Sequence, residues 1–332
     1  MRKLSPRSTN QDRLSQLRDQ GEDSSVLLAR LAIIESEGLR KDLAKMAERD
    51  FCRPEVLPTQ ASLRWSTKNP NLGGFDREFW RVHKRVIYPS PGEWWLEWDW
   101  QGIECRMFVA YSGDKEDLAW LDNRDLPPGM TDIHGATCMK YLFAWDELPS
   151  DWLGKDDERR TRAKNFRYGV VQYGHSAKAV LQMPGIESLG LDRPTLIQRA
   201  EAFLRARPKA QAFKQRAWAG FVRDGYARTF LGHRRWLFGD PATRSKEGMA
   251  HLISGSVAGM MDWCLIKICH PTLGAFPAGS VILNKHDGAI VAFPNQYHQV
   301  EVMATVKAIV EREWEIGEGV PSMHFPADWE VW

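Results

Sequence analysis

The sequence predicts an α+β fold, and three observations carry that prediction. The stretch WWLEWDW at 94–100 alternates Leu96 and Trp98 with Glu97 and Asp99, the period of a half-buried strand. Near the C-terminus, SVILNKHDGAIVAF at 280–293 sets two apolar runs around a polar centre, which predicts a hairpin turning at His286-Asp287-Gly288. Between them, residues 132–222 read mostly as helix, interrupted near 184–194.

In chain order, residues 1–25 form a polar, charged tail, and 26–49 read as a helix with one glycine interruption inside a linker that ends near 60. Pro54 and Pro58 break that pattern before ASLRWSTKNPNLGG, where Asn69-Pro70 and Gly73-Gly74 suit a loop of fixed shape. Strand-like text occupies 85–99, helical text 103–121, and prolines at 127 and 128 mark a break before the helical middle.

With 332 residues, 43% of them hydrophobic, the chain can bury one large core or two smaller ones. Lys plus Arg number 45 against 43 acids, so a polyanion has to be held by local basic surface and not by overall charge. Five cysteines without a CxxC pair, and an N-terminus without an apolar signal core, point to a reducing, cytoplasmic setting. No run approaches the roughly 20 apolar residues that span a bilayer, so no membrane partner is expected.

Asp99 ends one predicted strand and Asp287 sits in the turn of another; taken singly, the first reads as a helix cap and the second as a turn former. In ERRTRAKNFRYGVVQYG at 158–174, Arg160, Lys164 and Tyr168 recur every four residues and share one helical face. The plain reading is a solvated helix with Arg159, Arg162 and Arg167 in water. The functional reading is a face that meets a triphosphate with two cations and stacks a base on the aromatic.

Together these stretches resemble the polymerase domain of family A DNA polymerases, collinearly from about residue 59 to the C-terminus. DWQGIECR is similar to the family's motif A, RTRAKNFRYG to motif B and KHDG to motif C; SLRWSTKNPNLGG, DIHGAT and GYARTFLGHRR match three further segments in the family's order. The resemblance implies a right-hand polymerase fold, with palm at 61–124 and 241–332 and helical fingers at 125–240. It implies Asp99 and Asp287 as ligands of two Mg²⁺ ions, or Mn²⁺ in their place, with the Trp100 carbonyl as an extra ligand. It further implies Arg160, Lys164, Tyr168 and His134 on the incoming deoxynucleotide, Glu104 against a ribose 2′-hydroxyl, and Lys164 as a proton donor to the leaving group. Arg64, His286, Tyr173 and Ser254 fall on the primer–template side, and Arg106 completes motif A.

Four departures point to a divergent, phage-like branch, the first being a motif A interior that reads Trp-Gln-Gly in place of the common Tyr-Ser-Gln. Gly288 follows Asp287 where the family continues with glutamate, Ser254 stands where a glutamine is expected, and GVVQYG is one residue longer than the usual spacing, leaving Gln172 at the expected position and shifting Tyr173. The expected function is template-directed DNA synthesis in a bacterial or phage-infected cell. The competing reading is a catalytically weak DNA-binding or assembly subunit. The chain is expected to lack most of the thumb, with 26–60 as its remnant, and to carry no exonuclease domain. On that reading a separate thumb or exonuclease-bearing polypeptide, or a processivity factor, docks through the first 60 residues; the alternative is a minimal distributive enzyme that acts alone.

Overall fold

A computed structural model of the chain describes residues 55–57, 66–68 and 89–332, apart from 175, 184–185 and 318–321. The chain divides into two compact units, residues 1–58 with 65–88 and residues 59–64 with 89–332. In the first, β1 (Glu55–Leu57) and β2 (Ser66–Lys68) pair antiparallel, Val56 opposite Thr67. The predicted tail, the helix at 26–49 and Arg64 lie outside the described residues.

The second unit opens with the alternating strand β3 (Glu93–Trp100), and Gly102 in the left-handed region turns the chain into α1 (Ile103–Ser112). Aspartates start the next helices. Asp114 caps α2 (Lys115–Leu121), Asp132 caps α3 (Ile133–Thr137) and Asp157 caps α4 (Glu158–Phe166), each carboxylate accepting a backbone N–H of the first turn. Both α3 and α4 widen into π turns, over Cys138–Phe143 and Arg167–Gln172. Asp192 caps α5 (Arg193–Arg205), and a first-turn proline opens α6 (Pro208–Asp224). The short hairpin β4 (Tyr226–Arg228) and β5 (Arg234–Trp236) follows. Asp240 caps α7 (Pro241–Ala250), which passes through a third π turn, His251–Gly255, into α8 (Ser256–Cys269). The predicted hairpin is β6 (Ser280–Asn284) and β7 (Gly288–Pro294); after it come α9 (Gln299–Val310), the pair β8 (Glu313–Trp314) and β9 (Met323–His324), and β10 (Ala327–Val331).

Strand order in the main sheet is β10-β3-β7-β6, antiparallel throughout. Leu96, Trp98 and Trp100 of β3 are all but fully buried, as are Ala289 to Phe293 of β7, so the two central strands are the sheet's hydrophobic spine. Helices α8 and α9 pack together, and the Trp100 indole N–H donates to the Val310 carbonyl at 3.2 Å, tying β3 to the end of α9.

Two expectations need correction. Pro241–Cys269 is a continuous helix of 29 residues, long and apolar enough by length and composition to cross a membrane. Its apolarity is spread among Ala, Gly and Ser instead of forming a run, and 72% of its most apolar window is buried inside the fold, so it is a core helix. Arg167 does not face water: it is 1% exposed and pairs with the fully buried Asp117, while donating to the Thr137 hydroxyl at 3.2 Å. Arg207, equally buried, donates to the other Asp117 oxygen at 2.8 Å and to Glu116 at 3.0 Å. Charge complementarity inside the protein thus holds the end of α4 and the start of α6 to α2.

Candidate active site

Asp99 stands on the exposed side of β3 opposite Gly288, and the Trp100 N–H donates to the Asp287 carbonyl at 2.7 Å. The two acids therefore lie at the same end of the two central strands. Gly288 permits this approach: a Cβ there would stand 2.3 Å from the Trp98 carbonyl oxygen and 3.1 Å from the Asp99 Cα. The turn itself is tight, with the Lys285 N–H donating to the Gly288 carbonyl at 2.7 Å and the His286 N–H to the Asn284 side-chain oxygen at 3.0 Å. Hard divalent cations suit this donor set. Among the described residues no three His, Cys, Asp or Glu side chains gather as a metal cage. Mg²⁺ keeps several waters and binds through one or two carboxylates plus substrate phosphates, so two acids at adjacent strand ends fit it.

The shared face of α4 is organised from α3. Asp132 uses one carboxylate oxygen to cap α3, accepting from the His134 and Gly135 amides at 2.9 and 2.8 Å, and the other to hold Arg160 Nε and Nη2, both at 2.8 Å. Against the upward push of burial, Arg160 and the Gly135 amide keep the Asp132 carboxyl below the usual range. Burial, reinforced by the Arg167 charge, pushes the His134 imidazole down to about 3, so at neutral pH that ring is uncharged. Lys164, one turn beyond Arg160, is exposed, with its ammonium 5.9 Å from the Tyr168 ring. Tyr168 lies 6.0 Å from the His134 ring and stacks on Tyr173 at 6.5 Å.

Tyr173 in turn donates its hydroxyl to Glu104 Oε2 at 3.2 Å. Ser254 Oγ donates to Glu104 Oε1 at 2.7 Å, and His286 Nε2 lies 3.3 Å from the same oxygen. The end of α4, the first turn of α1, the long helix and the Asp287 hairpin are thereby joined in one chain of contacts. The extra residue after Tyr168 falls within the π turn of α4, whose wider turn takes up one residue more than an α turn. As a result Tyr173 reaches Glu104, while Gln172, 1% exposed, reaches only the Glu104 backbone carbonyl at 3.4 Å.

The model of DNA polymerase family A matches residues 2–324. The chain belongs to DNA polymerase family A. It is 27% identical over 187 residues to the DNA polymerase of Mycobacterium phage D29, an alignment covering 56% of this chain and 27% of that protein. The POL domain of Pol1 from M. smegmatis, solved in complex with DNA primer-template and dNTP, has the same fold: TM-score 0.72 at 19% identity, over 99% of this chain and 57% of that one. The chain spans about a quarter of the phage relative's length and little more than half of the solved chain. The α+β architecture expected from the sequence is thus a family A polymerase fold.

One residue with a part in the site, Asp132, escaped the sequence reading. Asp132 was visible as a helix cap in DIHGAT, but its grip on Arg160 spans 28 positions and leaves no local signal. Arg106, which the resemblance places in motif A, is 4% exposed and bonded to Asp122 and the Leu121 carbonyl at 2.9 and 2.6 Å, where it fastens α1 to α2.

Proposed function

We propose that this chain forms the palm and fingers of a template-directed DNA polymerase, adding deoxynucleotides to a primer 3′-hydroxyl inside a bacterial or phage-infected cell. The observation that carries the reading is the run of contacts from Arg160, by way of Asp132 and His134, and from Lys164 through Tyr168, Tyr173 and Glu104 to the hairpin of Asp287. A structural helix needs no such link to a pair of acids at the end of a sheet.

Asp99 and Asp287, with the Trp100 carbonyl, are the residues that would hold Mg²⁺ or Mn²⁺. Two such ions supply charge neutralisation and activation of the primer hydroxyl in phosphoryl transfer. In the reaction the primer oxygen bonds to the α-phosphorus, the bond to pyrophosphate breaks, and the hydroxyl proton leaves to solvent. Arg160, preset by Asp132, and the exposed Lys164 grip the triphosphate, and Lys164 Nζ gives a proton to the departing pyrophosphate. His134, being uncharged, takes part through a hydrogen bond. Tyr168 offers a stacking surface for the incoming base. Glu104 stands against the sugar with Tyr173, Ser254 and His286 bonded to its carboxylate, and Arg64 is assigned to the primer–template side on the family resemblance alone. Primer extension by the purified chain in Mg²⁺, beside a gel-shift assay, tests the proposal: addition of nucleotides is expected, whereas a shifted duplex without extension would leave the binding-subunit reading.

A further inference from the structure

Three elements far apart in sequence converge on one carboxylate. Glu104 receives Ser254 Oγ at 2.7 Å and His286 Nε2 at 3.3 Å on one oxygen, and the Tyr173 hydroxyl at 3.2 Å on the other. Ser254 belongs to the π turn of the long helix and is 6% exposed. Its hydroxyl is one bond from Cβ, too short to pass Glu104 and reach a DNA groove as a glutamine would. His286 adopts φ 81°, a left-handed conformation that is strained for a residue with a side chain and that persists where the surroundings enforce it. Here Asn284 holds the His286 amide, and the ring is aimed at Glu104.

We infer that Ser254 and His286 are positioning residues for sugar selection, acting through Glu104; the inference rests on the polymerase reading. A carboxylate held on both oxygens cannot swing aside to admit a 2′-hydroxyl. Three of its roughly four acceptor sites are also engaged, so a ribose meets a fixed wall with little hydrogen bonding to offer in exchange for its lost water. In this chain the position where the family's groove-binding glutamine is expected thus serves the nucleotide sugar.

The test is single-nucleotide incorporation by the full chain on a primer–template, comparing kcat/KM for a deoxynucleotide with that for its ribonucleotide. In Ser254→Ala the ratio falls about tenfold, the worth of one charge-assisted hydrogen bond, and Ser254→Thr, which keeps the hydroxyl, restores it. His286→Gly, free of backbone strain, lowers the ratio independently and reads the same effect if the alanine variant does not fold. A raised KM for primer–template with the sugar ratio unmoved in both variants would overturn the inference in favour of a groove contact. A wild-type chain that adds no nucleotide would overturn the polymerase reading, and this inference with it.

Discussion

At Gly288 the backbones of β3 and β7 approach so closely that a methyl group has no room, because the obstacle is the Trp98 carbonyl 2.3 Å away and not a movable side chain. The glutamate expected after Asp287 therefore cannot be restored here without parting the strands that carry the two acids. Gly288→Ala should cost about 1–3 kcal/mol of stability, the usual toll of overpacking, and thermal unfolding measures it. An unchanged melting temperature would mean that β7 yields easily. His134 gives a pH-dependent term. Burial holds its pKa near 3 in the folded chain, below the ordinary 6.5, so between these values the unfolded chain binds the proton and the folded chain does not. The corresponding stability is fully present above pH 6.5 and is lost as the pH falls toward 3, about 2 kcal/mol by pH 5. Urea midpoints should drop on acidification, and His134→Gln should flatten that slope; parallel slopes would refute the assignment.

The π turn in α4 shows how an element absorbs a sequence departure. Deleting Gly169, which removes no side chain, should convert Arg167–Gln172 to ordinary helix and leave the tyrosine near Glu104, so sugar selection should persist. Deleting Ala163 from the regular part should rotate Arg160 by about 100° relative to Lys164 and Tyr168 and abolish nucleotide addition. Equal damage from both deletions would show that the π turn does not compensate. Behind that helix the buried Lys214, its pKa pushed down to about 8 by burial, donates to the Val170 and Gly174 carbonyls at 3.3 and 2.7 Å and closes the end of the turn. The ionic joint to α2 makes a second demand: Arg167→Met should leave one oxygen of the buried Asp117 unpaired while Arg207 still holds the other, and cost about 1–3 kcal/mol, and replacing Asp117 by a neutral residue in the same chain should return part of it. Denaturant titration of the single and double variants reads both.

Across the whole molecule, what the sequence disclosed was what depends on local period or on residues at element ends. The alternation of WWLEWDW, the hairpin of SVILNKHDGAIVAF and the shared face of Arg160, Lys164 and Tyr168 are each properties of a few neighbouring residues, and the two strand segments formed as predicted. What stayed hidden depends on partners far along the chain. Arginines in ERRTRAKNFR look alike in sequence, yet Arg160 meets Asp132 and Arg167 meets Asp117, 28 and 50 positions away. The fourth strand, β10, carries a faint alternation of Ala327, Trp329 and Val331, too short to stand out without β3 beside it. The π turns are silent because one additional residue looks the same in sequence whether it rotates the remainder of the helix or is absorbed in a wider turn.

Asp99 and Asp287 are proposed to act together in phosphoryl transfer on a scaffold that binds DNA by other groups. Single-turnover addition of one deoxynucleotide in Mg²⁺ by Asp99→Asn and Asp287→Asn, with duplex binding followed in parallel by fluorescence anisotropy, tests it most directly. Each variant should lose at least about a thousandfold in rate, some 4 kcal/mol of barrier, while duplex affinity stays within a few-fold of wild type. Addition at the wild-type rate by either variant would contradict it.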